Sequence, residues 1–214
     1  AIISNAGTLL TPLKDVAAYK TGIGRPANLF SHSDQQVAWM GQLPNVITRT
    51  GWGGRAADRL KSVNTGALIP GTVSVSGNQI FAAGNSTVPF VIPGNGGVSL
   101  QGQGGDAVSL ARYNALKALL AAGSGNKVVD GAASIMGGAL NSAESANPIL
   151  TATLPPVVAN AFSGVPNTGL AQQFKQVARL IESRGALGLT RQFFFVAIGG
   201  FDTHSALLTN QVNL

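Results

Sequence analysis

Cysteine is absent from this 214-residue chain. That removes disulfides, zinc–thiolate sites and thiol nucleophiles from consideration. Charge is scarce: 10% of residues are Asp, Glu, Lys or Arg, well below the usual quarter. Ser, Thr, Asn, Gln and Gly must then cover much of the surface, which suits an exported protein better than a typical cytosolic enzyme. Clusters of basic residues are missing too. The net charge of +6 is spread over Lys14, Lys20, Arg25, Arg49, Arg55, Arg59, Lys61 and later positions, with no aromatics interleaved. Nucleic-acid binding needs a concentrated basic footprint, so no nucleic-acid partner is expected. No run of about 18 apolar residues occurs, so no transmembrane segment is expected. Ala1-Ile2-Ile3-Ser4 lacks the basic start of a signal peptide; the signal of an exported protein would lie outside this numbering. Histidine occurs only twice, at His32 and His204.

Apolar residues make up 45% of the chain, enough for a sizeable core. Thr11-Pro12-Leu13-Lys14 predicts an N-cap with Pro at N1 and a short helix. Ser31 or Ser33 caps a second helix through Trp39. Gly51-Trp52-Gly53-Gly54 precedes a third, Arg55 to Leu60. Thr72 to Ser76 alternates with period two and reads as a half-buried strand. Gly77-Asn78 then turns it into Gln79 to Ala83. Val88 to Ile92 is a further short strand, and Pro89 marks an edge. Residues 71–105 are thus expected to form a small antiparallel ribbon. Helices follow over Leu110–Ala122, Asn126 to about Ser145, and Leu170–Ser183, the last with clear 3.6-residue periodicity. In the second of these, Gly131, Gly137 and Gly138 either weaken the helix or permit close packing.

Phe193-Phe194-Phe195-Val196-Ala197-Ile198 reads as a strand buried on both faces, the β end of an αβ unit. No second run like it is visible, so its partner strands are expected outside the 214 residues. The chain then reads as an internal piece of a larger α/β domain.

Three constellations could carry chemistry. Gly199-Gly200-Phe201-Asp202-Thr203-His204 delivers a carboxylate and an imidazole just past a strand end, where ligands sit in open α/β sheets. Carboxylate oxygen and imidazole nitrogen suit a divalent metal; equally, Asp202 would cap a following helix with His204 in its first turn. Ser31-His32-Ser33-Asp34-Gln35-Gln36 sets a serine at a helix start, where the dipole favours an anionic ester. The other reading is a capping box from Ser33 to Gln36. In Thr50-Gly51-Trp52-Gly53-Gly54-Arg55, followed by Asp58, Arg55 would clamp an anion, or the glycines make a tight turn around a packed indole.

Taken in order, these motifs resemble the bacterial family called domain of unknown function 1501. The resemblance is carried by Leu29-Phe30-Ser31-His32-Ser33-Asp34-Gln35-Gln36 with Trp39, and by Thr50 to Asp58. It continues in Gln173-Phe174-Lys175-Gln176-Val177-Ala178-Arg179-Leu180-Ile181, in Arg191 to Val196, and in Gly199 to His204. Members are commonly exported with a twin-arginine signal. The family is similar to a distant branch of the alkaline phosphatase and sulfatase superfamily, whose members bind one or two metals and use a Ser, Thr or modified Cys nucleophile.

The resemblance implies an alkaline-phosphatase-like α/β domain over 1–214, mostly helical, with its central parallel sheet incomplete in this chain and 71–105 inserted as the ribbon. It implies Asp202 and His204 as ligands of a divalent metal (Zn, Mn, Mg or Ca), Ser31 as nucleophile and His32 as ligand or base; Arg55, read from its own motif, would steady the anion. The expected reaction is hydrolysis of a small phosphate or sulfate ester, in a periplasmic or extracellular protein. The family's opening Arg-Gly-Gly-x-Asp-Gly-type turn and its later Asp-His-Gly motif are not in these residues, so the rest of the domain would be a partner supplied as a separate segment. The alternative is a non-catalytic exported module of the same fold, structural or carbohydrate-associated, that uses 71–105 as its interaction surface.

Overall fold

The Phe193 run is a strand with a neighbour inside the chain. In the computed structural model, which describes residues 7–26, 28–42, 48–203 and 205–212, three strands form one sheet: β1 (Thr72–Ser74), β2 (Phe90–Val91) and β3 (Phe193–Phe195), in the order β2-β1-β3. Both pairings are parallel, with Val73 opposite Phe90 on one side and Phe194 on the other. This corrects two expectations. The segment 71–105 is not an antiparallel ribbon, and β3 does not lack a partner. No hairpin follows Gly77-Asn78; the chain instead makes a 3-10 turn at Ile80–Ala82. Parallel strands require crossovers, and the segments after β1 and β2 supply them.

Around the sheet lie α1 (Val16–Thr21), α2 (His32–Gly41), α3 (Trp52–Arg59), α4 (Ala107–Ala121), α5 (Lys127–Leu150), α6 (Pro156–Ala161), α7 (Gly169–Glu182) and α8 (Leu207–Val212). The architecture is α/β and about 47% helical. Asp15, rather than Thr11, caps α1 through its carboxylate.

The sheet is covered on both faces. Val73, Val75, Phe90 and Ile92 pack with Ala146 and Leu150 of α5 and Val177 and Leu180 of α7, and Phe194 joins them. Phe193 and Phe195 point the other way, to Met40 of α2, Trp52 of α3 and Phe81. Successive side chains of a strand face opposite sides, so β3, half-buried at each position with apolar neighbours on both faces, uses an apolar side chain at each. Leu150, Leu180 and Leu187 are fully buried, each stabilising the fold by roughly 1.5–3 kcal/mol. That burial explains why α5 runs through Pro148 to Leu150 instead of stopping near Ser145. Its last turn seals the core. The glycines Gly131, Gly137 and Gly138 have open space where a Cβ would stand, so they do not serve close helix packing. α4 buries no residue and is held to α5 by Glu144, which accepts from the Tyr113 hydroxyl at 2.8 Å and from Lys117 Nζ at 2.8 and 2.9 Å. Burial, with the Glu144 contact, pushes the Tyr113 phenol up to about 12.

No described helix is long and apolar enough to cross a membrane.

Candidate functional site

In a parallel β2-β1-β3 sheet the strand order reverses between β1 and β3, and the crevice outside the carboxyl ends of these two strands is the place where such sheets bind ligands. Two features lie there. One is a cavity of about 630 Å³ between α2 and the residues that leave β1 and β3, bounded by Gln36, Trp39, Ser76, Gln79, Phe195 and Ile198 among others. The other is a contact between the start of α2 and the segment beyond β3. His32 Nδ1 lies 3.6 Å from Asp202 Oδ2, with the two side chains 69% and 55% exposed. Residues from opposite ends of the chain thus meet at one sheet edge. Ser31, His32 and Asp202 border the cavity's neighbourhood without lining it: Gln35 and Gln36 follow His32 within a turn of α2, and Gly199 precedes Asp202 by three residues.

Ser31 is the N-cap of α2. Its hydroxyl oxygen accepts from Asp34 N–H at 3.3 Å and lies 3.2 Å from Ser33 Oγ. The cap is therefore two residues earlier than a box built on Ser33, and Ser31 stands at the positive end of the helix dipole. Asp202 does not cap the next helix, because α8 begins only at Leu207. The competing capping assignment for Asp202 thus falls away. His204 lies outside the described residues.

As donors for one divalent cation, His32 and Asp202 have the right chemistry. Two ligand atoms at ordinary zinc distances and a tetrahedral angle lie about 3.4 Å apart, close to the 3.6 Å found. The pair fits as part of a site, and a catalytic site takes at least one ligand more. Among the described residues, no group of three or more His, Cys, Asp or Glu side chains gathers.

The Gly51–Asp58 motif builds the support beneath. Arg55 donates from one nitrogen to Thr50 O at 2.9 Å and from the other to Gly41 O at 2.7 Å. Its guanidinium ties α3 to the end of α2. A Cβ on Gly53 would lie 2.5 Å from Phe81 Cζ, and on Gly51 or Gly54 it would strike the backbone at Ile80–Phe81 or Ala83–Gly84. Trp52 stacks edge-on against Phe81 with ring centres 4.6 Å apart. Asp58 accepts from Asn85 N–H at 2.6 Å, Ser86 N–H at 3.2 Å and the Ser86 hydroxyl at 2.9 Å. Desolvation pushes its carboxyl up, and the polar groups of Thr87, Asn85 and Ser86 outweigh that and hold it at about 2. The Thr87 hydroxyl acts by proximity, without a hydrogen bond of normal geometry.

One residue that positions the site appears in the sequence only as a member of the Gln173–Ile181 motif, with no role read for it. Gln173 of α7 grips the chain as it leaves β3, donating to Ala197 O and accepting from Ala197 N–H, both at 3.0 Å. Gln176, 2% exposed, donates to Gly96 O at 2.8 Å. The signal was a pair of amides three apart on an amphipathic helix, the spacing that puts both on one face. No protein family, curated protein or solved structure matches the chain.

Proposed function

We propose that this is an exported, hydrolase-like protein of alkaline-phosphatase-like fold that cleaves phosphate or sulfate esters with a divalent metal. The observation that carries the reading is the approach of His32 to Asp202 at the carboxyl edge of a parallel sheet. Asp202 and His204 would hold the metal with His32 beside them, and the bound cation would supply positive charge to the ester oxygens. Ser31 is the candidate nucleophile: its oxygen sits at the N-terminus of α2, where the dipole and free backbone N–H groups favour a developing anion. Arg55 enters this reading through the backbone it holds at Gly41 and Thr50, as a positioning residue rather than an anion clamp.

A second reading, a non-catalytic carbohydrate-associated module, is favoured by one observation: the cavity beside the pair has no charged side chain among its described lining residues. Within 71–105, Thr72, Val73, Ser74 and Val75 are buried in the sheet, so an interaction surface there would be formed by the exposed loops, such as Gly77-Asn78 and Gln101–Gly105. The two readings separate in one assay. The protein is supplied in turn with Zn, Mn, Mg and Ca and offered 4-nitrophenyl phosphate and 4-nitrophenyl sulfate. Metal-dependent release of nitrophenol that disappears in Ser31→Ala supports the hydrolase. No release with any metal, or full activity in Ser31→Ala, overturns it.

A further inference from the structure

The cavity of about 630 Å³ has no task in ester cleavage as proposed, and its chemistry says what it would accept. Its size falls in the usual range for small-ligand sites, roughly 300–1,000 Å³. Among the described residues, no Asp, Glu, Lys, Arg or His lines it. A phosphate or sulfate lodged there would meet no cation, and an ammonium group no carboxylate. A purely apolar ligand fits no better. Gln36, Gln79, Ser76 and Trp39 line the space, and the Gln36 carboxamide, the Gln79 side-chain oxygen, the Ser76 hydroxyl and the Trp39 indole N–H make no hydrogen bond within the described chain. Covering them with hydrocarbon would cost each its water without replacement, about 1–3 kcal/mol per group.

These groups are arranged rather than scattered. Gln79 donates to Ser76 O at 3.0 Å, which fixes its amide and leaves its oxygen available. Gln35 is held in place by Thr8 and by Asn28 O. Trp39 is 49% exposed, on the side of α2 that also carries Gln35 and Gln36 into the lining. Met40 and Phe195, which belong to one apolar cluster, also line the cavity.

We infer that this cavity binds the ring of a neutral saccharide, with Trp39 as the packing platform and Gln36, Gln79 and Ser76 as the hydrogen-bonding edge. Vicinal hydroxyls each donate and accept, and so does a carboxamide. The C–H face of a pyranose is apolar and flat enough to lie on an indole, whose body is apolar and whose N–H remains available at the edge. The inference needs neither a metal nor Ser31, so it stands apart from the hydrolase reading; it rests on the carbohydrate-associated reading and names its ligand.

The test uses the protein in excess chelator, titrated by calorimetry with maltose, cellobiose and N,N′-diacetylchitobiose at millimolar concentrations, with adenosine as the flat heteroaromatic counter-probe. At least one disaccharide is expected to bind saturably and to shift the side-chain amide resonances of Gln36 and Gln79. Gln36→Ala and Trp39→Ala are each expected to weaken that binding about tenfold or more, the effect of losing one good hydrogen bond or contact. Both positions are solvent-exposed, so the variants are expected to fold, as circular dichroism would verify. Absence of binding by all three disaccharides, binding that survives both substitutions, or binding of adenosine in their place would each overturn the inference. Any of these leaves metal binding at His32 and Asp202 to be judged on its own measurement.

Discussion

Replacing Asp58 with Asn tests whether the motif around Trp52 is a structural clasp. Asp58 reaches from α3 to the 84–86 loop and accepts from two backbone N–H groups and one hydroxyl. Its carboxyl is held at about 2 against an ordinary 3.8. That difference caps the linked stability at roughly 2.4 kcal/mol. Part of the side chain reaches solvent, and screening there leaves about 1–2 kcal/mol. The sign follows from the depression: the stabilisation is fully present above the unfolded-state value near 4 and fades as pH falls from about 4 to about 2. Asp58→Asn should therefore lower the melting temperature at pH 7 by roughly 3–6 °C for a chain of this size. The gap between wild type and variant should narrow below pH 4. Thermal unfolding followed by circular dichroism at pH 7, 5 and 3 measures both. An Asn variant as stable as wild type at pH 7, or a gap that does not change with pH, would refute the reasoning.

Other predictions concern packing and positioning. Gly54→Ala should destabilise by about 1–3 kcal/mol, because its Cβ meets backbone at Ala83 and Gly84 and overpacking there outweighs the gain in helix propensity; denaturant midpoints measure it. Leu180→Ala, at a fully buried position, should cost about 2–5 kcal/mol in the same experiment. Gln173→Ala should speed amide hydrogen exchange at Ala197, whose N–H it now binds, while exchange in the first turns of α5 stays as it was.

The strand at Phe193 was legible because it is apolar at every position, though it is an edge strand whose residues are half-buried rather than buried on both faces. Its partner was not. β1 alternates Thr72-Val73-Ser74-Val75, the pattern of a strand with one wet face, yet Thr72 and Ser74 are as buried as Val73. Ser74 tolerates this by donating to Gly77 O at 2.5 Å; Thr72 Oγ1 is buried without a partner. Polar residues inside a central strand disguise it, and strands of two or three residues carry too little pattern to show that they run parallel. Helices α3, α4 and α7 were read to within a few residues, since capping residues and 3.6-residue periodicity are local. α5 ran past its expected end because the core buries Leu150, a tertiary effect that Pro148 alone does not announce. Of the candidate site, Ser31, His32 and Asp202 were each visible as motifs. That His32 meets Asp202 depends on α2 and the exit of β3 sharing one sheet edge, which no local signal encodes. Arg55 illustrates the reverse: a cation in a glycine-rich turn looks like an anion clamp until the carbonyls of Thr50 and Gly41 are brought to it.

The central claim is that His32 and Asp202 belong to one divalent-metal centre. Its most direct test is a zinc-binding double-mutant cycle, by calorimetry on metal-stripped protein, with His32→Ala, Asp202→Ala and the pair together. Each single variant is expected to lose about tenfold or more in affinity. The double variant is expected to lose less than the product of the two, because residues sharing one ion are coupled by about 0.5–3 kcal/mol. Wild-type zinc affinity in both single variants would contradict the claim and reduce the pair to an exposed surface contact of less than about 1 kcal/mol.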